Sequence, residues 1–312
     1  MCALRVDLDE AVTRLRAGEA VAVPTETVYG LAADARNESA LRRIFATKGR
    51  PLTNPLIVHI RGREQLTDWA ASVPAAATAL LDACWPGPLT LVLPARAEVS
   101  RLVTGGADSV ALRCPSHPLF RELLARFGGA LCAPSANRSG YVSPTTAEHV
   151  LADYSTEPLA VLDGGACALG IESTIVRPCG DMLDVLRPGA VPVERLRELW
   201  SGTVTVPASA DVVVPGSAPR HYAPATRVQV VSRTALESAG HDDVVICRGT
   251  PPPTCARVEC LPDEPIGYAR GLYALLRRLD AGGYSRLLVE AVPEQERWQA
   301  VRDRLRRAAL RR

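Results

Sequence analysis

The stretch KGRPLTNPLIVHI, residues 48–60, leaves one predicted element and enters another. Residues 39–48 carry apolar side chains at the spacing of one buried helical face, and Lys48 falls at the end of that face. Gly49 supplies the residue type at which helices commonly end. The apolar run that follows predicts a strand, so the segment brings two cations, Lys48 and Arg50, to the mouth of a sheet.

The first two thirds of the chain alternate apolar strands with short amphipathic helices. Strands are predicted at 20–24, 55–60, 88–94, 109–115, 130–137, 159–165, 173–178 and 182–189. Helices are predicted at 8–17, 39–48, 76–84, 117–127 and 146–153. This alternation predicts an α/β (mixed α+β) fold in which helices flank a twisted mixed sheet.

The sequence also predicts two domains and a connection between them. Residues 1–200 form the larger domain, and residues 201–226 are rich in proline and poor in charge, which indicates an extended linker. Residues 227–312 hold four strand-like and two helix-like stretches, which predict a small, Rossmann-like α/β domain.

Composition restricts the classes of function. The chain of 312 residues is 47% hydrophobic with a formal net charge of +2, so an anionic ligand must meet a local cluster of cations. No apolar stretch approaches the roughly 20 residues of a membrane span. The N-terminus lacks a signal-peptide pattern, and nine cysteines show no CxxC pair. These features predict a cytoplasmic protein.

Three polar side chains, at positions where the predicted strands and helices are otherwise apolar, each have two possible explanations. Lys48 either joins Arg50 in a phosphate clamp or binds the carbonyl groups at its own helix end. His59 lies on one face of the strand with Ile57, as a ligand contact or as a satisfied core residue. Arg113 is costly to bury without an anion, so it meets either a ligand or an internal carboxylate.

Two loops rich in hydroxyl and amide groups leave strands at 24–34 and 133–140. Such loops bind phosphate or carboxylate through main-chain N–H groups, although ordinary turns use the same residues. The chain has no GxxxxGK[ST] or GxGxxG loop, no metal-ligand cluster and no triad of a covalent catalyst. Cations and hydroxyls at strand ends therefore indicate a site that binds and orients anions.

Seven ordered motifs carry a family resemblance over about residues 5–200: VPTETVYGLAADA, KGRP with NPLIVHI, WPGPLTLVL, VALRCPSHP, APSANRSG, ESTIV and VLRPGA. Together they resemble the YrdC-type domain of threonylcarbamoyl-AMP synthases. RHYAP at 220–224 and the small final domain resemble the longer, two-domain form. The resemblance implies a nucleotidyltransferase that makes threonylcarbamoyl-AMP and pyrophosphate from L-threonine, bicarbonate and ATP, with Mg²⁺ on the phosphates. The product would serve t6A37 modification of tRNA through downstream threonylcarbamoyl-transfer proteins.

The resemblance also implies roles for individual residues. It assigns catalysis to Lys48 and Arg50. The implied ATP contacts are Arg50, Asn54, Ser109, Ser135, Asn137 and Arg187. The implied threonine contacts are Thr25, Thr27, His59, Arg113 and Ser173. His221 and Tyr222 are expected in a lid formed by the linker, and no metal ligands are predicted.

Two positions depart from the family pattern, and two other functions remain open. Val214 stands before Pro-Gly where the family more often has serine, and Arg177 follows STIV where aspartate is common. The resemblance therefore implies neither a hydroxyl contact at 214 nor a metal ligand at 177. The alternatives are a carbamoyltransferase of the same fold and a non-catalytic RNA-binding module, and direct tRNA binding is left open.

Overall fold

A computed structural model describes residues 3–207, 212–216, 221–253, 255 and 257–310. The strands of the first domain are β1 (Leu4–Val6), β2 (Val21–Val23), β3 (Gly30–Asp34), β4 (Ile57–His59), β5 (Leu89–Pro94), β6 (Ser109–Arg113), β7 (Leu131–Cys132), β8 (Ala160–Leu162), β9 (Thr174–Cys179), β10 (Met182–Arg187) and β11 (Thr203–Thr205). Its helices are α1 (Leu8–Arg16), α2 (Glu38–Lys48), α3 (Thr78–Cys84), α4 (Arg101–Thr104), α5 (Pro118–Phe127), α6 (Ala147–Asp153) and α7 (Val193–Leu199).

The first domain is built on one 11-stranded mixed sheet. Its strand order is β1-β8-β2-β3-β7-β4-β6-β5-β9-β10-β11. Strand β4 runs parallel to β6 and antiparallel to β7, while β5 runs antiparallel to β6 and parallel to β9. The predicted mixed sheet with flanking helices is therefore confirmed.

The predicted helix-to-strand connection is present. α2 ends at Lys48, and Gly49 adopts the left-handed conformation with a φ of 63°. Glycine has no Cβ and enters this region at little cost, which explains the stop. The chain then turns through 50–56 into β4, where all three residues are buried.

Several elements differ from the sequence-based prediction. Gly30–Asp34 forms β3, although this stretch was expected to be a loop, because its alanines and leucine are buried between β2 and β7. β7 spans only Leu131–Cys132, so most of the strand expected at 130–137 is loop. The linker expected at 201–226 begins with β11, which pairs in parallel with β10 and extends the first sheet.

The second domain has a parallel sheet with helices, as predicted. Its strands β12 (Arg227–Val231), β13 (Asp243–Arg248), β14 (Val258–Leu261) and β15 (Arg286–Glu290) follow the order β12-β15-β13-β14. α8 (Pro265–Asp280) and α9 (Gln299–Ala309) bury their apolar faces against it. Among the described residues, no helix is long and apolar enough to cross a membrane.

Part of the linker lies on the first domain. Val214 is buried, and it packs with Ile57, Val92, Ala111 and Ile175 on one face of the large sheet. An apolar side chain thus fills a site between apolar neighbours, which accounts for valine at this position. Residues 208–211 and 217–220 of the expected linker lie outside the described residues.

An ion pair in the domain interface joins α8 to α6. The Arg277 guanidinium donates to both carboxylate oxygens of Asp153, at 2.8 and 2.7 Å, and its Nε donates to the Ser143 carbonyl at 3.3 Å. Both side chains of the pair are almost fully buried. A buried carboxylate left without its cation is unfavourable, so this contact holds the second domain in one position.

We expect Arg277→Met to lower the free energy of unfolding by about 3–5 kcal/mol, because it leaves Asp153 buried and unpaired. Arg278→Met is the matched control, since Arg278 of the same helix forms a surface ion pair with Glu259 of β14. Loss of such an exposed pair costs about 0–1 kcal/mol. Urea titration followed by circular dichroism measures both, and equal losses in the two variants would contradict this view of the interface.

Candidate active site

Strand register brings three polar side chains onto one face of the sheet. His59 of β4 lies opposite Arg113 of β6, and Arg113 lies opposite Thr90 of β5. These side chains share a face with Ile57 and Ala111 because alternate residues of a strand point the same way. Of these, His59, Arg113 and Ile57 line the floor of a cleft.

Many of the predicted site residues line this cleft. They are Thr27, Arg50, His59, Arg113, Ser135, Ser173, Arg187, His221 and Tyr222. Thr25, Lys48, Asn54, Ser109 and Asn137 were also predicted but do not line it. Asn54 lies in the turn before β4, and Ser109 begins β6 at the end of the strand away from Arg113.

Arg113 has the internal carboxylate partner that was one of its two explanations. Its Nη2 donates to Glu26 Oε1 at 2.7 Å, and its Nε donates to the Gly87 carbonyl at 3.4 Å. Burial alone raises the pKa of Glu26, but the charge of Arg113 and its hydrogen bond outweigh burial and lower it. Glu26 Oε2 is buried and has no partner among the described residues, so the pair retains an unused acceptor.

His59 is a buried, neutral imidazole at the edge of the cleft. Its Nδ1 lies 3.2 Å from the Ile57 carbonyl, and its ring packs 5.4 Å from that of Phe120. Burial and the neighbouring charge of Arg113 lower the pKa of His59 to about 3. The side chain therefore offers hydrogen bonds and a rigid surface, but it does not add positive charge near neutral pH.

Thr25 shapes the loop that follows β2. Its Oγ1 donates to the Val28 carbonyl at 2.7 Å and accepts from the main-chain N–H groups of Thr27 and Val28. The Oγ1 atoms of Thr25 and Thr27 are 2.8 Å apart. Thr25 thus holds the turn, whereas Thr27 faces the cleft.

Lys48 binds main-chain oxygens of a neighbouring loop, not those of its own helix. Its Nζ donates to the carbonyls of Ser135 and Asn137. Burial, and after it the charge of Arg50, lowers the pKa of Lys48 well below its ordinary value. In this conformation Lys48 holds the 133–140 loop against the end of α2, directly behind the cleft.

Arg50 and Arg187 place positive charge in the cleft. Arg50 donates through Nη2 to the Pro55 carbonyl at 2.8 Å, and burial lowers its pKa to about 10. Arg187 donates to the carbonyls of Pro215 and Ser173, both at 2.7 Å. Its Nε is buried and has no partner among the described residues. Two desolvated guanidinium groups with spare donors are typical of a phosphate site.

Two predicted serines and one asparagine differ in their surroundings. Ser173 Oγ lies 2.8 Å from Thr90 Oγ1, so it continues the polar row on the cleft floor. Ser135 borders the cleft and gives its carbonyl to Lys48. Asn137 donates to the carbonyls of Arg138 and Tyr141, and its buried Oδ1 has no described partner.

The linker residues His221 and Tyr222 close one side of the cleft. Their rings meet edge to face with centres 4.1 Å apart. Burial, opposed by Glu172, lowers the pKa of His221 to about 3. The Tyr222 hydroxyl and His221 Nδ1 are buried and have no partner among the described residues, so both are available to a ligand.

Three polar residues of this region were missed by sequence reasoning as site residues. Glu26 is the partner of Arg113, Thr90 joins Arg113 to Ser173, and Glu172 borders the cleft below the linker. All three residues stand inside motifs quoted above. The motifs therefore contain them, but only the folded structure shows which residues they contact. Arg177, in contrast, pairs with Asp184 across β9 and β10 and does not line the cleft.

Comparison with known proteins gives matches over both domains. A family model named for the Sua5, YciO and YrdC proteins, described as telomere recombination, matches residues 13–189. A second model, described as threonylcarbamoyl-AMP synthase, C-terminal domain, matches residues 191–310.

Individual relatives match nearly end to end. The threonylcarbamoyl-AMP synthase of Pyrococcus abyssi is 39% identical over 95% of this chain and 92% of its own. The one of Bacillus subtilis is 36% identical over 96% of this chain and 92% of its own. A crystal structure of P. abyssi Sua5 complexed with L-threonine has a TM-score of 0.90 at 37% identity, covering 99% of this chain and 97% of that one.

The chain thus shares both domains, their order and the fold with these proteins, and the sequence identities are high enough to show homology. The chain belongs to the threonylcarbamoyl-AMP synthase family, in its two-domain form.

Proposed function

We propose that this chain joins L-threonine, bicarbonate and ATP into threonylcarbamoyl-AMP and pyrophosphate inside the cleft described above. The observation that carries the proposal is that two desolvated guanidinium groups, Arg50 and Arg187, lie in one cleft with a polar floor around Arg113. The relative crystallised with L-threonine supports the choice of amino acid.

The nucleotide phosphates are assigned to the side of the cleft that holds Arg50, Arg187 and Ser135. Both guanidinium groups are buried, so an anion there meets little competition from water. Lys48 is assigned to the same side. Its ammonium is bound to two carbonyls in this conformation, so it would act by holding the loop or by turning toward the phosphates.

Asn54, Ser109 and Asn137 remain predicted nucleotide contacts, although they lie outside the cleft lining. Asn137 is the best supported of the three, because its Oδ1 is buried without a described partner. An amide oxygen in this position would accept a hydrogen bond from a base or a ribose hydroxyl.

Threonine is assigned to the side that holds Arg113, His59 and Thr27, with Thr25 holding the turn behind it. Ser173 is also assigned to threonine, at the boundary with the nucleotide side, where Arg187 donates to it. The Arg113 guanidinium suits the amino-acid carboxylate, and Glu26 Oε2 is an unused acceptor nearby. A neutral His59 adds no charge that would compete for the carboxylate.

The chemistry needs positioning and charge more than a protein nucleophile. The threonine amine and CO₂ form a carbamate, whose oxygen attacks the α-phosphate and expels pyrophosphate. Negative charge develops on the phosphate oxygens during this step, and fixed cations in a dry site stabilise it. Arg50 and Arg187 are suited to that task, and the linker excludes water from the product.

Mg²⁺ is proposed to arrive with ATP. Among the described residues, no group of His, Cys, Asp or Glu is arranged to hold a metal ion. The two carboxylates that border the cleft region, Glu26 and Glu172, are ion-paired to Arg113 and Arg304. The donor set therefore fits an ion held by phosphate oxygens and water, which is the usual mode for Mg²⁺.

The wider setting is also a proposal. The product would pass to proteins that transfer threonylcarbamoyl to tRNA in the cytoplasm, and free cysteines in the described chain agree with a reducing compartment. The match of the second domain to a synthase-specific model favours a synthase over a carbamoyltransferase. The enclosed cleft supports catalysis over a purely RNA-binding role, and direct tRNA binding stays open.

Pyrophosphate release by the purified protein should require ATP, Mg²⁺, L-threonine and bicarbonate together, because each supplies atoms or charge to the product. A coupled pyrophosphate assay with single omissions measures this requirement. Substitution of threonine by valine or serine is the specificity control. Undiminished release without threonine would overturn the proposal, and ADP as the main product would point to kinase chemistry.

Substitutions at Arg50 and Arg113 should distinguish the nucleotide side of the cleft from the threonine side by their effects on the KM of each substrate. Arg50→Met should raise the KM for ATP by roughly tenfold or more, since it removes a charge-assisted hydrogen bond. Arg113→Lys keeps a charge beside Glu26 but loses the planar fork, so it should raise the KM for threonine instead.

Arg121→Met is the control for the loss of one arginine, because this partly exposed residue of α5 does not line the cleft. Isothermal calorimetry with each substrate checks the same division without turnover. If Arg113→Lys lost affinity for ATP while keeping that for threonine, the assignment of the two sides would be reversed.

A further inference from the structure

The second domain supplies a fully buried cation close to the cleft. Arg304 of α9 is 0% exposed and does not line the cleft. Its Nε donates to Glu172 Oε2 at 2.9 Å, and its Nη1 donates to Asp303 Oδ2 at 2.8 Å. The guanidinium carbon also lies 4.8 Å from the centre of the Tyr222 ring.

Glu172, the carboxylate partner of Arg304, accepts hydrogen bonds from both domains. Its Oε1 accepts from Ser143 of the first domain at 2.6 Å. Its Oε2 accepts from Tyr273 and Arg304 of the second domain, both at 2.9 Å. The carboxylate is therefore satisfied only when α8 and α9 lie in place, so the position of Arg304 is tied to the first domain.

Tyr222 is held by the second domain from two directions. Its ring stacks on that of Tyr273, with centres 5.8 Å apart and planes 21° apart, and Arg304 lies over it. Cation–π attraction of this kind strengthens when both groups are desolvated, as they are here. Tyr222 has a φ of 58°, which is unfavourable for a residue other than glycine, so the packing around it must maintain the conformation.

The Tyr222 hydroxyl lies on the side of the cleft that we assign to the nucleotide. It packs so tightly against Gly216 that any side chain at this position would overlap it, and the same position is also close to Arg187 Nη1. The hydroxyl is therefore next to Gly216 and close to Arg187. A small shift of the ring would move it away from the arginine that we assign to the phosphates.

We propose that Arg304 is a positioning residue of the active site, through which the second domain fixes Tyr222, and with it linker residues 221–226, beside the side of the cleft that we assign to the nucleotide. This inference rests on the proposed function for its kinetic consequence. It gives the second domain an indirect part in catalysis: α9 orders linker residues 221–226, while the cleft groups of the first domain bind the substrates.

A kinetic double-mutant cycle tests this coupling in the full-length protein. Arg304→Met keeps the side-chain volume and should lower kcat about tenfold while the KM for threonine changes little. Tyr222→Ala should cause a similar or larger loss. If Arg304 acts through Tyr222, the double variant should stay within about twofold of Tyr222→Ala alone.

The matched control is Arg306→Met, an exposed arginine of the same helix that pairs with Asp303, and it should leave kcat unchanged. If Arg304 had a purely structural role independent of Tyr222, the fold losses in kcat of the two single variants would multiply in the double variant. Their effects on the activation free energy would then be additive, and that result would overturn the proposal. If Arg304→Met does not fold, Arg304→Lys, which keeps the charge but not the planar stacking, replaces it in the same cycle.

Hydrogen exchange of the substrate-free protein separates this inference from the proposed function. The Ala223 N–H donates to the Gly140 carbonyl at 3.0 Å and reports on the linker beside Tyr222. Exchange there should be faster in Arg304→Met than in the wild type and Arg306→Met. Wild-type protein without threonine-dependent turnover would refute the proposed function alone, whereas unchanged exchange in Arg304→Met would refute the positioning role.

Discussion

The architecture of the site depends on keeping Lys48, Arg50 and Arg187 away from water without carboxylates to neutralise them. Within the described part of the chain, these cations donate to main-chain carbonyls, and no acidic group lies within ion-pair distance of them. Carbonyl dipoles offset the cost of burial but leave net positive charge, which is what a phosphate needs. The loop at 133–140 provides the carbonyls for Lys48, the turn before β4 provides that for Arg50, and Pro215 of the linker and Ser173 provide those for Arg187, so all of these segments must be held in place.

The two halves of the cleft are electrically different for the same reason. Around Arg113 the positive charge is balanced by Glu26, and His59 stays neutral. Balanced charge of this kind suits a zwitterion, which carries both signs. The half around Arg50 and Arg187 borders on Glu172, but that carboxylate is paired with Arg304, so positive charge remains in excess and favours a polyanion. The positions of Glu26 and Glu172 thus divide the cleft into a half with balanced charge and a half with excess positive charge.

The sequence predicted the local parts of this arrangement well. The end of α2 at Gly49 and the strand after it follow from short-range patterns, and the ordered motifs identify the family. The partner of Arg113 was foreseen as a type of residue but not as Glu26, because that pairing spans distant parts of the chain. β11 was missed because a three-residue edge strand among prolines and small polar residues carries little signal of its own. The link from Glu172 to Arg304 joins two domains, so no local pattern contains it.

The linker has one feature whose consequence extends to product release. It leaves the first sheet after β11 and enters the second sheet at β12, so both of its ends are fixed in folded domains. A segment tethered at both ends stays near the cleft even when its contacts are broken, so its effective local concentration is high. Weak contacts would then suffice to keep it on the cleft, and any return after an opening would be a first-order, local event. An unstable mixed anhydride would therefore leave through brief openings of a strap that never moves far from the site.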